Sequence, residues 1–259
     1  MLSIRLCALA AVALTLSTAP LGGARDLAVC TVAAIRYGLE PGGTVSNLKT
    51  RFNSSQLEVL QKLNRVDLDH LARLDRIVSP DLWVEDQLAY SPLPNFFPGG
   101  KSCSKSIVVY QPAQVFGGYE HGRLVRWGPI SSGRQISPTP TGLFHLNWKS
   151  DGRHSTVNPD WFMPWYFNFG NAEGYSFHDY ALPGRPASHA CVRLLGLDAR
   201  WLHEWGEEWR LDPWGRNVLA TGTPVLILGS YEFNAPAPWR SLESFSRRVE
   251  LPLDPICRE

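Results

Sequence analysis

One cysteine and two histidines in a short span carry the chemistry of this chain. His178 stands in Phe177-His178-Asp179-Tyr180, and His189 and Cys191 stand in Ser188-His189-Ala190-Cys191-Val192-Arg193-Leu194. A cysteine is a strong nucleophile only as the thiolate, and a neighbouring imidazole is the usual group that takes its proton. Between the two phrases lies Leu182-Pro183-Gly184-Arg185-Pro186. Its prolines and glycine make that stretch stiff and turned rather than helical. It can therefore fold back and set His178 beside Cys191. For an isolated Cys/His pair, a buried structural cysteine near surface histidines is the simpler reading. The whole phrase favours a nucleophile.

That phrase resembles the signature of the L,D-transpeptidases of the YkuD type, enzymes that crosslink peptidoglycan. In that family a histidine and a spacer precede Ser/Thr-His-Gly-Cys, a small apolar residue, and then Arg or Asn. Upstream, Pro138-Thr139-Pro140-Thr141-Gly142-Leu143-Phe144 resembles the family's Thr-Pro-x-Gly-x-Phe turn and strand, so the likeness runs over roughly residues 105–230. The resemblance implies a mainly β fold, a β-sandwich-like mixed sheet with the active site under a mobile loop. It implies an enzyme acting on peptidoglycan tetrapeptide stems, with Cys191 as nucleophile and His178 as base. The carbonyl of Asp179 would orient His178. Backbone N–H groups of His189, Ala190 and Cys191, in the turn opened by Ser188, would form the oxyanion hole. His189 would orient the site through a side-chain hydrogen bond. Arg193 would either pin a substrate carboxylate or anchor the loop by an ion pair. An amine acceptor gives transfer and water gives an L,D-carboxypeptidase or endopeptidase. A catalytically silent cell-wall binding protein is the other alternative. The family implies no cofactor.

Two departures accompany the likeness. The spacing from His178 to Cys191 is at the short end for the family, and Ala190 stands where the family has glycine. Positive φ is cheap only for glycine. We therefore expect negative φ at Ala190.

Composition fits an exported protein. The chain has 259 residues, 44% of them hydrophobic, enough for one medium domain and a smaller one. A net charge of +1 supplies no basic field for nucleic acid. Arg5, the apolar run Leu6–Leu16 and small residues ending at Gly22-Gly23-Ala24 read as a signal peptide over residues 1–24. That run is too short for a permanent span, and no other segment is long enough, so the mature protein is expected to be extracytoplasmic, free of the membrane and monomeric. Loss of Cys7 with the signal leaves Cys30, Cys103, Cys191 and Cys257. If Cys191 stays a thiol, at most one disulfide forms among the other three. Which of Cys30, Cys103 and Cys257 pair, if any, stays open; a link from Cys30 or Cys257 to Cys103 would tie a terminus to the catalytic domain.

No metal site is expected. His178, His189 and Cys191 have no further Cys/His pair at metal spacing nearby. His203-Glu204-Trp205-Gly206-Glu207 opens like a zinc-protease helix but lacks the second histidine.

The elements that must position these residues fall into three regions. Residues 25–100 read as a small helical region. Ser55-Gln56-Leu57-Glu58 suggests a capping box, Leu57, Leu60 and Leu63 recur at helical spacing, and Leu68, Leu71 and Leu74 resume it. This order faintly resembles the second half of a LysM glycan-binding repeat, without its first strand and Gly-Asp opening. A helical packing module is the alternative. Pro92, Pro94, Pro98 and Gly99-Gly100 read as a linker. Residues 101–232 form the catalytic domain, with strands at Ile107–Tyr110, at Gln114–Phe116 and Leu124–Trp127 around a turn, at Leu143–Trp148, Trp165–Phe169 and Pro224–Leu228. One helix carries a core-facing stripe of Trp201, Leu202, Trp205 and Trp209. Residues 233–259 are a C-terminal tail.

Overall fold

A computed structural model describes residues 35–246 and 248–257. The expected signal peptide and Cys30 lie outside the described residues. In chain order the elements are β1 (Tyr37–Pro41), α1 (Val45–Arg51), α2 (Ser54–Asn64), α3 (Leu68–Leu71), β2 (Arg76–Pro80), β3 (Lys105–Tyr110), β4 (Val115–Glu120), β5 (Arg123–Ser131) and β6 (Gly142–His145). They continue as β7 (Lys149–His154), β8 (Phe162–Gly170), β9 (Tyr175–Asp179), β10 (Val192–Leu194), α4 (Gly196–Trp205), β11 (Arg210–Leu211), β12 (Val218–Ala220) and β13 (Pro224–Leu228).

The mainly β expectation holds. Nine strands form one mixed sheet in the order β6-β13-β3-β4-β5-β10-β9-β8-β7. Only β10 with β9 and β13 with β3 run parallel. The Phe144 and Phe169 rings, from β6 and β8 near opposite edges of that order, meet with centroids 5.7 Å apart. The sheet therefore curls until its two ends share one core. Strand alternation explains the apolar run in β3. Ile107 and Val109 point into this inner core with Phe116, Phe167, Phe177 and Leu202. Val108 faces a second core with Val115, Tyr119 and Trp127.

The N-terminal region closes that second core. Val59 and Leu63 of α2 pack there beside Leu93 and Phe97. Helix α2 is opened by Asn53, not by the Ser55 box expected. The Asn53 side chain accepts from Gln56 N at 2.9 Å and Asn53 N donates to Gln56 Oε1 at 3.0 Å. The same Asx-x-x-Gln chemistry lies two residues upstream, where asparagine caps as well as serine does. The helix stops at Arg65, in the left-handed region at φ 59°. The strand thought missing is present: β1 pairs antiparallel with β2 around α1 and α2. Glycine and a terminal proline mask it in the sequence, and only the partner strand supplies its ladder.

The Pro/Gly stretch is not a free linker. Phe97 N donates to Gly122 O at 2.7 Å and Leu124 N to Asn95 O at 3.0 Å, which straps the segment across the β4–β5 hairpin. The C-terminal tail returns to it. Val249 N reaches Pro92 O at 2.8 Å, and a disulfide joins Cys103 to Cys257. Two other expectations change. β6 ends at His145, because Leu146 bonds to Thr223 and Asn147 to Asn168 as the chain crosses between the sheet's two ends. Trp209 lies outside α4, which Gly206 terminates, and its N–H bonds to Asn147 O instead.

Candidate active site

β9 carries Phe177 into the inner core, so His178 points to the opposite face. Arg193 of β10 stands opposite His178 in the parallel register, and Cys191 precedes β10 by one residue. Paired residues share a face, as do residues two apart, so Ser176, His178, Cys191 and Arg193 converge. The Ser176 hydroxyl, fully buried, donates to Cys191 Sγ at 3.3 Å. Cys191 is a free thiol. It lines a cleft of about 320 Å³ together with His178, Arg193, Trp148, Arg153 and Tyr166.

His178 is 4% exposed. Its Nδ1 lies 2.9 Å from Asp179 O, and a carbonyl can only accept, so the proton sits on Nδ1 and Nε2 is left as a base. Burial pushes the imidazole down to about 4, against the pull of the Asp179 carbonyl and with the help of Arg193. The ring is therefore neutral at neutral pH. The Asp179 carboxyl is half-buried against Gly196. Burial, and then Asp67, raise its pKa.

The turn from Ser188 to Cys191 is held by its carbonyls. Arg134 N donates to Ser188 O at 3.0 Å, the Ser188 hydroxyl bonds to Cys191 O, and Thr139 Oγ1 donates to Ala190 O at 2.9 Å. Thr139 is held in turn by Gly133 N at 2.8 Å. With the carbonyls so engaged, Ala190 takes φ 76°. The expectation of negative φ is overturned. Turning Ala190 O back onto Thr139 requires the left-handed conformation that glycine adopts freely, and an L-residue there costs about 1–2 kcal/mol. Among the described residues, no acceptor takes the N–H groups of His189, Ala190 or Cys191.

Residues 104–227 match the L,D-transpeptidase catalytic domain, YkuD. An L,D-transpeptidase from Xylanimonas cellulosilytica (residues 123–326) is 25% identical, covers 74% of this chain and 98% of its own, and superposes with a TM-score of 0.46. One from Stackebrandtia nassauensis is 23% identical over 49% of this chain, with a TM-score of 0.40. One from Mycobacterium smegmatis is 18% identical over 49%, with a TM-score of 0.39. The chain spans 56% and 59% of the length of the last two. No curated protein matches it.

Within the matched region the remaining site residues divide by contact. The His189 ring packs on Trp161 at 4.9 Å, and its Nε2 meets Arg134 Nη2. Guanidinium only donates, so Nε2 accepts. Burial, and then Arg134 and Arg193, lower the His189 pKa. Arg193 lies 4.6 Å over the Tyr180 ring and donates to Ala181 O at 3.4 Å. No carboxylate among the described residues pairs with it, so the structural ion pair is not made.

Sequence reading missed Ser176, Arg134 and Arg153. Ser176 had one signal, its place two residues before His178 on a strand. Arg153 had none. Its guanidinium lies 5.2 Å over Trp148 and 5.0 Å over Tyr166, a shelf assembled from β7, β8 and the loop before them. Among the described residues, no group of three His, Cys, Asp or Glu is placed to hold a metal ion, and no helix is long and apolar enough to cross a membrane.

Proposed function

We propose that this chain is an exported cysteine L,D-transpeptidase that acts on peptidoglycan stem peptides through an acyl-thioester on Cys191. The observation that carries this reading is the tautomer of His178. Its Nδ1 is committed to Asp179 O, so its Nε2 is an unprotonated base in the cleft that holds the free Cys191 thiol. The thiol proton passes to Nε2 while sulfur attacks the carbonyl of the bond between the L-centre and the D-centre of a donor stem. The oxyanion of the tetrahedral intermediate meets the N–H groups of the Ser188–Cys191 turn, each such donor contributing roughly 3–4 kcal/mol in comparable enzymes. His178 returns the proton to the leaving amine, and the terminal D-residue departs. An acceptor amine then attacks the thioester, gives its proton to His178, and restores the thiol. The hydroxyl of Ser176 stabilises negative charge on Sγ through the attack. Arg193 and Arg153, each stacked on aromatic rings rather than paired with an acid, suit the carboxylates of such a peptide.

Incubation of the mature protein with purified tetrapeptide stems, followed by mass spectrometry, tests this. Loss of the terminal residue, a crosslinked product and an acyl adduct on Cys191 are expected, and all three vanish in Cys191→Ser. Trimmed stems without crosslinks would reassign the chain to hydrolysis. Unchanged stems with active folded protein would overturn the reading.

A further inference from the structure

We propose that Asp67, in the N-terminal helical region outside the matched domain, is a positioning residue for the active site: it clamps the loop between His178 and Cys191. The proposal rests on the cysteine-enzyme reading above. β9 and β10 are parallel neighbours, so the chain must leave the end of one and return to the start of the other. Such crossovers usually run through a helix, which satisfies its own backbone. Here the crossover is irregular, and its backbone groups need partners from elsewhere.

The far end of the loop is held by the catalytic sheet. Ser131 Oγ donates to Arg185 O at 2.8 Å, and Ala187 N and Ser188 N donate to Ser132 O at 3.0 and 3.1 Å. The end that follows His178 is held from the N-terminal region. Leu182 is 0% exposed, and Asp67 takes both of its backbone groups. Asp67 N donates to Leu182 O at 3.1 Å, and Leu182 N donates to Asp67 Oδ2 at 2.8 Å. Val66 forms a bridge with Pro183 beside this contact. Leu182 is three residues from Asp179, whose carbonyl sets the His178 tautomer, and it adjoins Ala181, whose carbonyl takes Arg193. Displacing Leu182 therefore moves the anchors of both the base and the cleft arginine.

Asp67 is itself fixed by a separate bond. Its Oδ1 caps α3 by accepting from His70 N at 2.9 Å, and His70 Nδ1 lies within 2.9 Å of both carboxylate oxygens. The two oxygens thus divide their work. Oδ1 serves the helix, and Oδ2 serves the catalytic loop. An amide has one acceptor oxygen, so asparagine, a good helix cap, can keep the first bond and not the second.

The test uses the full chain with Asp67→Asn and Asp67→Ser, serine being a cap too short to reach Leu182. Alkylation of Cys191 by iodoacetamide is followed across pH by peptide mass spectrometry, beside kcat, KM and Tm. Both variants should keep Tm within about 4 °C of wild type, the scale of a single small perturbation in a chain this size. Cys191 alkylation at pH 7 should slow at least threefold, and kcat should fall at least tenfold with KM within twofold. A purely structural role for Asp67 would lower Tm and leave the alkylation profile and kcat unchanged, and that result overturns the proposal. If Asp67→Asn does not fold, Asp67→Ser decides. If wild type turns over no stem peptide, the transpeptidase reading fails, while the alkylation comparison still decides the clamp.

Discussion

Ala190 and His178 show how single conformations and single protons set the behaviour of this site. At φ 76°, Ala190 carries the strain that its family avoids with glycine. Ala190→Gly removes that strain, about 1–2 kcal/mol, and adds unfolded-state entropy of about 0.4–1 kcal/mol. The balance predicts a Tm higher by about 1–3 °C in calorimetry. The Ala190 N–H already points where the left-handed turn sends it, so turnover should change little. His178 predicts a pH dependence. Its folded value of about 4 lies below the ordinary 6.5, so the unfolded chain binds the proton first as pH falls. The stability that comes from keeping the ring neutral is whole above about pH 6.5 and is lost as pH falls through about 4, a difference of about 3 kcal/mol. Urea unfolding at pH 7 and pH 4 in wild type and His178→Gln should show this acid loss in wild type and a smaller one in the variant. The acid limb of kcat/KM should fall near pH 4, not near 6.5.

At the scale of elements, the cleft is an agreement between strands. The face shared by Ser176, His178 and Arg193 follows from alternation once β9 is known to be a strand. That part of the site could be read in the sequence with little more than the period of two. The wall across from it could not. Arg153 sits on β7, the edge strand, and owes its place to the β7–β8 register and to Trp148 beyond β6. An arginine stacked on two rings is held without a counter-charge and remains available to an anion. Arg153→Gln should raise KM for an anionic stem about tenfold, near 1.4 kcal/mol, and leave kcat within twofold, the pattern of binding lost equally from ground and transition states. Steady-state kinetics with stems carrying free and amidated carboxylates check this, since the variant should narrow the difference between them. The displaced α2 cap teaches the same lesson at smaller cost. Asn53 and Gln56 satisfy the N–H groups of residues 56 and 53, two residues upstream of those that a Ser55 and Glu58 box would satisfy.

Across the described residues, the N-terminal region and the tail are fastened to the nine-stranded sheet. Val59 and Leu63 share a core with Val108 and Trp127, and Asp67 reaches the crossover loop. The Cys103–Cys257 bridge closes a separation of 154 residues. In the chain-entropy description a loop of that size stabilises by about 4–5 kcal/mol. Replacing both cysteines by serine should lower the free energy of urea unfolding by roughly that amount, while Cys191 keeps its alkylation rate.

The sequence by itself pointed to the proposed chemistry. The order of His178, Ser188, His189, Cys191 and Arg193 offers a thiol and an imidazole, and the Pro/Gly spacer lets them line one cleft. It also determined the main strands, because an alternating apolar pattern is a local property of the chain. It limited the disulfides to at most one pair among Cys30, Cys103 and Cys257 if Cys191 stays a thiol. The tertiary structure decided the rest. It paired Cys103 with Cys257 by folding the tail back across the strap, set φ at Ala190 through the bond from Thr139, neutralised His178 by burial, and brought Asp67 to Leu182. Each of these depends on two segments far apart in the chain, and the free energy of such a contact exists only once both are in place.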